Sequence, residues 1–198
     1  YRLPGVEINA RLFRDYPYKD QLAHVVGYIG RINQRDKDRL DEEEKSANYR
    51  GSTHIGKTGL EAVYEDELHG QTGFEEVETD AGGRAIRTLR RTPPVNGKTL
   101  RLALDIRLQQ KAFELFGDRR GALVAIEPAT GGVLAFVSKP GFDPNLFVDG
   151  IDSQSWKDLN EDWKRPLINR ALRGLYPPGS TFKPFMAMAA LETKFREP

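Results

Sequence analysis

The stretch "YPPGSTFKP", residues 176–184, decides how the rest of the chain is read. Pro177-Pro178-Gly179 forms a tight turn, and the apolar run that follows, "FMAMAALE", calls for a helix. Ser180 falls on the first turn of that helix with Lys183 three positions later, an S-x-x-K. Of the six serines in the chain, only Ser180 has a lysine at that spacing. Residues i and i+3 share a helix face, so Lys183 can reach the Ser180 hydroxyl. A serine hydroxyl is a poor nucleophile until a base removes its proton. Lysine serves as that base only where its surroundings favour the neutral amine, and burial among Phe182, Phe185 and Met186 would do so. The helix N-terminus also aims N–H groups at developing negative charge, which makes the Ser180 amide a natural half of an oxyanion hole. The plainer alternative makes Ser180 an N-cap and Lys183 a solvated helix residue.

Upstream of this stretch, "GALVAIEPATGGVLAFVSKP" gives two apolar, β-rich runs joined by Pro128–Gly132, a hairpin. Before it, "LRLALDIRLQQKAFELF" passes from strand-like alternation into an amphipathic helix. Between the hairpin and the S-x-x-K lies a polar loop holding "FDPN", Trp156 and Trp163. The tryptophans are expected to pack this loop onto the domain. "RTPPVNGKT", residues 91–99, reads as a domain boundary because of its two prolines and Asn-Gly turn. Residues 1–97 are irregular α+β. Val6–Ala10 alternates as a strand, Arg35–Lys45 has the composition of a surface helix, and Leu60, Val63, Tyr64 and Leu68 line one face of a helix closed by Gly70. Phe74–Thr79 and Arg84–Leu89 form two strands around the turn "DAGG".

The bulk composition excludes several function classes. With 30 basic and 29 acidic residues the net charge is +1, which gives no electrostatic argument for nucleic acid. Asp41–Lys45 and the arginines 84, 87, 90 and 91 read as solvated faces. There is no cysteine, so disulfides and thiolate metal sites are ruled out, and His24, His54 and His69 lack metal-ligand spacing. No apolar run approaches the roughly 20 residues that span a bilayer, and the start "YRLPGVEI" is not a signal peptide. The opening without Met suggests a trimmed piece of a longer protein.

Three overlapping motifs compete with Ser180 and Lys183. "GSTHIGKT", residues 51–58, fits the phosphate-loop pattern G-x-x-x-x-G-K-[ST] at each fixed position. That loop needs a buried strand before it and a helix after it, so that N–H groups converge on phosphate. "EEEKSANYR" precedes it and cannot be a core parallel strand. Within the same stretch, Ser46-Ala47-Asn48 is an S-x-N and Lys57-Thr58-Gly59 a K-T-G. The glycines here are expected to shape a turn into a helix starting near Leu60, with Lys57 a structural or surface residue.

"YPPGSTFKP", "ALDIRLQQ", "GALVAIEPATGGVLAFVSKPGFDPNLFVDG" and "PLINRALRGLYPPGSTFKP" together resemble, in order and spacing, the opening of a class B penicillin-binding protein's transpeptidase domain. "LAHVVGYIGRIN", "IGKTGLEAVYEDELHGQTGFEEVETDAGGRAIR" and "PPVNGKTLRLALD" resemble the non-catalytic pedestal of the same family, nearest its elongation-specific Gram-negative members. The resemblance covers nearly the whole chain. It implies an α+β fold, with residues 1–97 a partial pedestal and residues 98–198 the N-terminal part of the transpeptidase domain. It also implies a reaction. Ser180 would attack the penultimate D-Ala carbonyl of a peptidoglycan stem pentapeptide, Lys183 would take its proton, and β-lactam antibiotics would acylate Ser180 as substrate mimics. No metal or organic cofactor is implied.

The family's remaining implications are the MreC scaffold and the RodA SEDS glycan polymerase as partners, and the periplasmic side of the inner membrane as location, held by an anchor outside this chain. In this family S-x-N and K-[ST]-G follow the S-x-x-K, so the triplets at residues 46–48 and 57–59 stand on the wrong side of Ser180 and are accidental. The true second and third motifs are missing, and the tail "ETKFREP" lacks the usual Gly turn. Two rival readings are another Ser-Lys acyl-enzyme, such as a β-lactamase or β-lactam sensor, and a scaffold module that docks elongation partners.

Overall fold

A computed structural model of the chain describes residues 13–195, so the strand expected at Val6–Ala10 lies outside the described residues. A 3₁₀ turn at Lys19–Gln21 leads into a short helix α1 (Ala23–Val26) and strand β1 (Ile29–Arg31), followed by α2 (Gln34–Glu42). Asn33 and Asp36 close a capping box at the start of α2. Asn33 Oδ1 accepts the Asp36 N–H at 3.0 Å, and Asp36 Oδ2 accepts the Asn33 N–H at 2.8 Å. Leu40 is the buried residue of this otherwise solvated helix, as its polar composition implies.

Strand β2 (His54–Gly56) pairs antiparallel with β1, Gly30 opposite Ile55. The helix expected to run through "GLEAVYEDELH" is instead two pieces, α3 (Gly59–Val63) and α4 (Glu65–His69), broken at Tyr64. Its expected apolar face is also turned around: Val63 is 75% exposed, whereas Glu61 is 4% exposed. The cause is a polar partnership from outside the helix. Tyr16 Oη donates to Glu61 Oε1 at 3.1 Å, and Arg14 Nε lies 2.9 Å from the same oxygen. Burial, then the Glu61 carboxylate, push the Tyr16 hydroxyl's pKa well above its ordinary value, so it stays a donor.

Two glycines make the α1–α3 crossing possible. Gly27 and Gly59 both take positive φ, and a Cβ on Gly27 would sit 1.8 Å from Thr58 O. Only glycine allows two backbones to meet this closely.

Strands β3 (Phe74–Thr79) and β4 (Ala85–Thr92) form an exposed hairpin, its turn held by Asp80 Oδ1 accepting from Gly82 N and Arg84 N at 2.8 and 2.9 Å. Its rungs oppose charges: Glu75 faces Arg91 and Glu76 faces Arg90. The segment after it is tied back to α4, with Val95 exchanging both main-chain bonds with Gln71 at 2.9 Å.

The second half opens without a strand at residues 100–105, where alternation had suggested one. That run reaches the sheet through the Asp105 N–H to Leu134 C=O bond (2.9 Å) rather than through a ladder. Asp105 then caps α5 (Ile106–Leu115), accepting from Arg107 N at 2.9 Å. Strands β5 (Gly121–Ile126) and β6 (Val133–Lys139) form the expected hairpin, and α5 packs on β6 around Ala112, Phe113 and Val137. The stretch expected as a polar loop contains two helices, α6 (Asn145–Val148) and α7 (Ser153–Glu161). Asp152 caps α7 through bonds from Gln154 N and Ser155 N, both 3.0 Å. Trp156 meets Phe147 edge-on at 6.5 Å, and Trp163 lies under the Arg120 guanidinium at 4.7 Å.

The two halves share a core. Ala23 from α1 packs with Phe142 and Phe147 from the second half, and Tyr28 stacks on Phe147 at 4.2 Å. A fully buried side chain of this size contributes about 1.5–3 kcal/mol. Gln109, 0% exposed, adds a polar tie: its Nε2 donates to Gln21 O and Phe136 O, both at 2.8 Å, while its Oε1 accepts from Phe136 N at 2.7 Å.

Candidate active site

The approach to Ser180 starts at helix α8 (Arg170–Arg173). Asn169 caps it, accepting from Leu172 N at 3.3 Å, and its Nδ2 donates to His24 O on α1 at 3.0 Å. The His24 ring donates through Nε2 to Pro166 O at 2.9 Å, which fixes its tautomer. Arg170 is 8% exposed. Its N–H donates to Ser138 Oγ on β6 at 2.9 Å, and its guanidinium donates to the carbonyls of Arg165 (3.0 Å), Ile168 (3.3 Å) and Lys164. Ser138 Oγ in turn donates to Ile168 O at 3.2 Å.

From α8 the chain crosses Gly174–Gly179 and enters a 3₁₀ turn, Gly179–Phe182, that carries Ser180. Gly179 has φ of 55°, a left-handed conformation that glycine adopts without strain. Helix α9 (Lys183–Glu192) follows directly, with Pro184 in its first turn, where a missing N–H costs nothing. The Lys183 N–H donates to Ser180 O. A 3₁₀ turn eclipses side chains at i and i+3, so the two side chains leave the same side of the turn.

Ser180 is not an N-cap. Pro178 and Phe182 occupy the cap positions of the turn and of α9, and neither cap has a side-chain bond. Ser180 and Lys183 are both exposed, and the described residues include no hydrogen bond between their side chains. The apolar surroundings expected to bury Lys183 are not formed: Phe182, Phe185 and Met186 are 50%, 64% and 57% exposed. The reason is that α9 packs substantially only on its own preceding turn among the described residues.

The other three motifs have structural occupations. Lys57 pairs with Asp36, the capping residue of α2, with both side chains largely covered. Burial pushes the Asp36 carboxyl upward, but hydrogen bonds from the Asn33 N–H and from Lys57 outweigh it and hold the group below its ordinary value. Strand β2 is half of a two-stranded antiparallel sheet, so no phosphate cradle forms at residues 51–58. Asn48 clasps the chain after α4, donating to Gly70 O at 2.9 Å and accepting from Thr72 N at 2.7 Å. Ser46 bonds Asp41, and Ser52 Oγ lies 2.7 Å from His69 Nε2, whose ring stacks on Tyr49 at 4.0 Å. His24, His54 and His69 belong to separate neighbourhoods, and no cluster of three potential metal ligands occurs among the described residues. Sequence reasoning missed Asn169 and Arg170, whose side chains look like those of any polar surface residue until burial is known.

Two family models match. Residues 1–102 match the penicillin-binding protein dimerisation domain, and residues 121–198 match the penicillin-binding protein transpeptidase domain. The chain belongs to the penicillin-binding proteins. Among curated relatives, it is 51% identical to the peptidoglycan D,D-transpeptidase MrdA of Escherichia coli over 191 residues, which is 96% of this chain and 30% of that protein. It therefore spans under a third of the relative's length. Among solved structures, Pseudomonas aeruginosa PBP2 in complex with WCK 5153 aligns with a TM-score of 0.80 at 47% identity, over 95% of this chain and 37% of that one. The complex between PBP2 and MreC from Helicobacter pylori aligns with a TM-score of 0.79 at 34% identity, over 91% of this chain and 32% of that one. This penicillin-binding protein is therefore an α+β chain that joins a dimerisation domain to the start of a transpeptidase domain.

Proposed function

We propose that the chain carries the nucleophile and base of a peptidoglycan D,D-transpeptidase, with residues 1–97 the partial pedestal and residues 98–198 the opening of the catalytic domain. The observation that carries this reading is the S-x-x-K on a 3₁₀ turn leading directly into α9, with Ser180 and Lys183 on one side of it. Lys183 Nζ takes the Ser180 proton as Oγ bonds to the carbonyl carbon of the penultimate D-Ala of a stem pentapeptide. The C–N bond to the terminal D-Ala then breaks, and that amine leaves with a proton. The amine of a neighbouring stem attacks the resulting ester, releases Ser180 and completes the cross-link. β-Lactams acylate the same oxygen by opening their ring amide.

The setting that goes with this role is the periplasmic face of the inner membrane, in the cell-elongation machinery, with MreC as docking scaffold and RodA as the glycan polymerase beside it. The Helicobacter pylori complex of a 34%-identical PBP2 with MreC supports the first of these partners. The decisive test is labelling of the intact protein by fluorescent penicillin. The wild type should form a long-lived adduct and folded Ser180→Ala none. Adduct on Ser180→Ala would refute the assignment, and rapid turnover of penicillin would point to a β-lactamase instead.

A further inference from the structure

We propose that Arg170 is a positioning residue for Ser180, and that Asn169 extends its hold to α1 of the first half. The inference rests on reading Ser180 as the nucleophile.

Burying a guanidinium is costly unless each donor finds a partner. No salt bridge to Arg170 exists among the described residues; carbonyl oxygens of Lys164, Arg165 and Ile168 take its place. Arginine presents five donors in a rigid planar fork, so three carbonyls gripped by one guanidinium have a fixed mutual geometry. The same residue's N–H reaches Ser138 on β6, which itself bonds Ile168 O. Arg170 therefore locks the loop at 164–168, the sheet and the start of α8 into one rigid bracket. Its neighbour Asn169 caps α8 with one end of its amide and donates to His24 O with the other.

A short arm, residues 174–179, joins the bracket to Ser180. Gly174 N–H donates to Arg170 O at 3.0 Å. Tyr176 folds back so closely that a Cβ on Gly174 would lie 2.4 Å from its ring. Pro177 and Pro178 then fix φ at two successive positions before the Ser180 turn. With Gly174 bonded back to Arg170 and φ fixed at both prolines, the arm passes part of a displacement at α8 on to Ser180. Nucleophilic attack tolerates little displacement, since an error of about 1 Å can cost 100-fold in rate.

The test is saturation kinetics of acylation by fluorescent penicillin on the intact protein, separating limiting rate constant, half-saturating concentration and fraction labelled. Arg170→Gln should lower the limiting rate constant about 10- to 100-fold, with the half-saturating concentration little changed. Asn169→Ala should lower the same constant by a smaller factor. A purely structural role would reduce the fraction labelled and leave the rate constant of the folded molecules at the wild-type value, which would overturn the proposal. If Arg170→Gln does not fold, Asn169→Ala and Ser138→Ala decide the matter, and wild-type rate constants in both overturn it. Failure of the wild type itself to label, or labelling of Ser180→Ala, would remove the nucleophile reading, a result distinct from either.

Discussion

The side-chain amide of Asn145 satisfies both main-chain polar groups of Tyr16, accepting its N–H at 2.9 Å and donating to its C=O at 3.1 Å. These residues are 129 positions apart, so one side chain performs, between the two halves, the pairing that a strand would supply. The same Nδ2 also donates to Asp143 Oδ1 at 2.8 Å, which sets the orientation of the amide.

Replacing Asn145 with Ala strands the Tyr16 N–H, an orphan donor that costs about 1–3 kcal/mol, while the Tyr16 C=O keeps its bond from the Lys19 N–H at 3.1 Å. Asn145→Ala should lower the thermal midpoint of the intact protein by several degrees. Asn145→Asp keeps the acceptor but sets a carboxylate against the Tyr16 carbonyl, so it should not recover the loss. Wild-type stability in either variant, by calorimetry, would contradict the role.

At the α1–α3 crossing, Gly27→Ala should be among the most damaging small substitutions in the chain. It combines a positive φ with a Cβ 1.8 Å from Thr58 O, so the two backbones must separate. The expected loss exceeds about 3 kcal/mol, the upper part of the range for strained and overpacked positions. By contrast, Gly131→Ala meets open space at a φ of 73° and should cost only the strain of that conformation. Urea midpoints of the two variants measure the difference.

Acid should weaken the Asp36–Lys57 pair. The folded carboxyl titrates below its unfolded value of about 3.9, so its stabilisation is complete above that value and disappears as pH falls through the lower folded one. Asp36→Asn should therefore flatten the stability profile below pH about 4 while leaving penicillin acylation of the intact protein unchanged. Loss of acylation in folded Lys57→Met would instead revive a catalytic part for the K-T-G triplet.

His24 gives the opposite end of the pH scale. Burial holds its ring below the ordinary imidazole value, ahead of the opposing pull of the Pro140 and Pro166 carbonyls. The unfolded chain then binds the proton more readily, so stability falls as pH drops below about 6.5. His24→Gln keeps a neutral donor toward Pro166 and should remove that dependence between pH 7 and 5, read as thermal midpoints across the series.

How much of this was legible depended on whether a residue's partner was local. The hairpin of β5 and β6 could be read from "GALVAI" and "GGVLAFVSK" because the alternation and the turn lie within the element itself. The S-x-x-K stood out for the same reason. The burial of Glu61 could not be read, since it depends on Tyr16, 45 positions away, and helical periodicity alone favoured Val63. Helix α7 was hidden by its polar composition, although its Asp152 cap was a local signal that could have revealed it. Arg170 looked like any surface arginine. Its burial arises from three carbonyls that only the folded loop brings together.

Helix α9 has one more consequence. Phe185, Met186, Met188 and Leu191 are 64%, 57%, 66% and 47% exposed, so apolar side chains face solvent around most of its circumference. A contiguous apolar surface of this kind draws molecules together in water. The solubility of the isolated chain should therefore improve when the exposed apolar side chains of α9, the helix that begins at Lys183, are made polar.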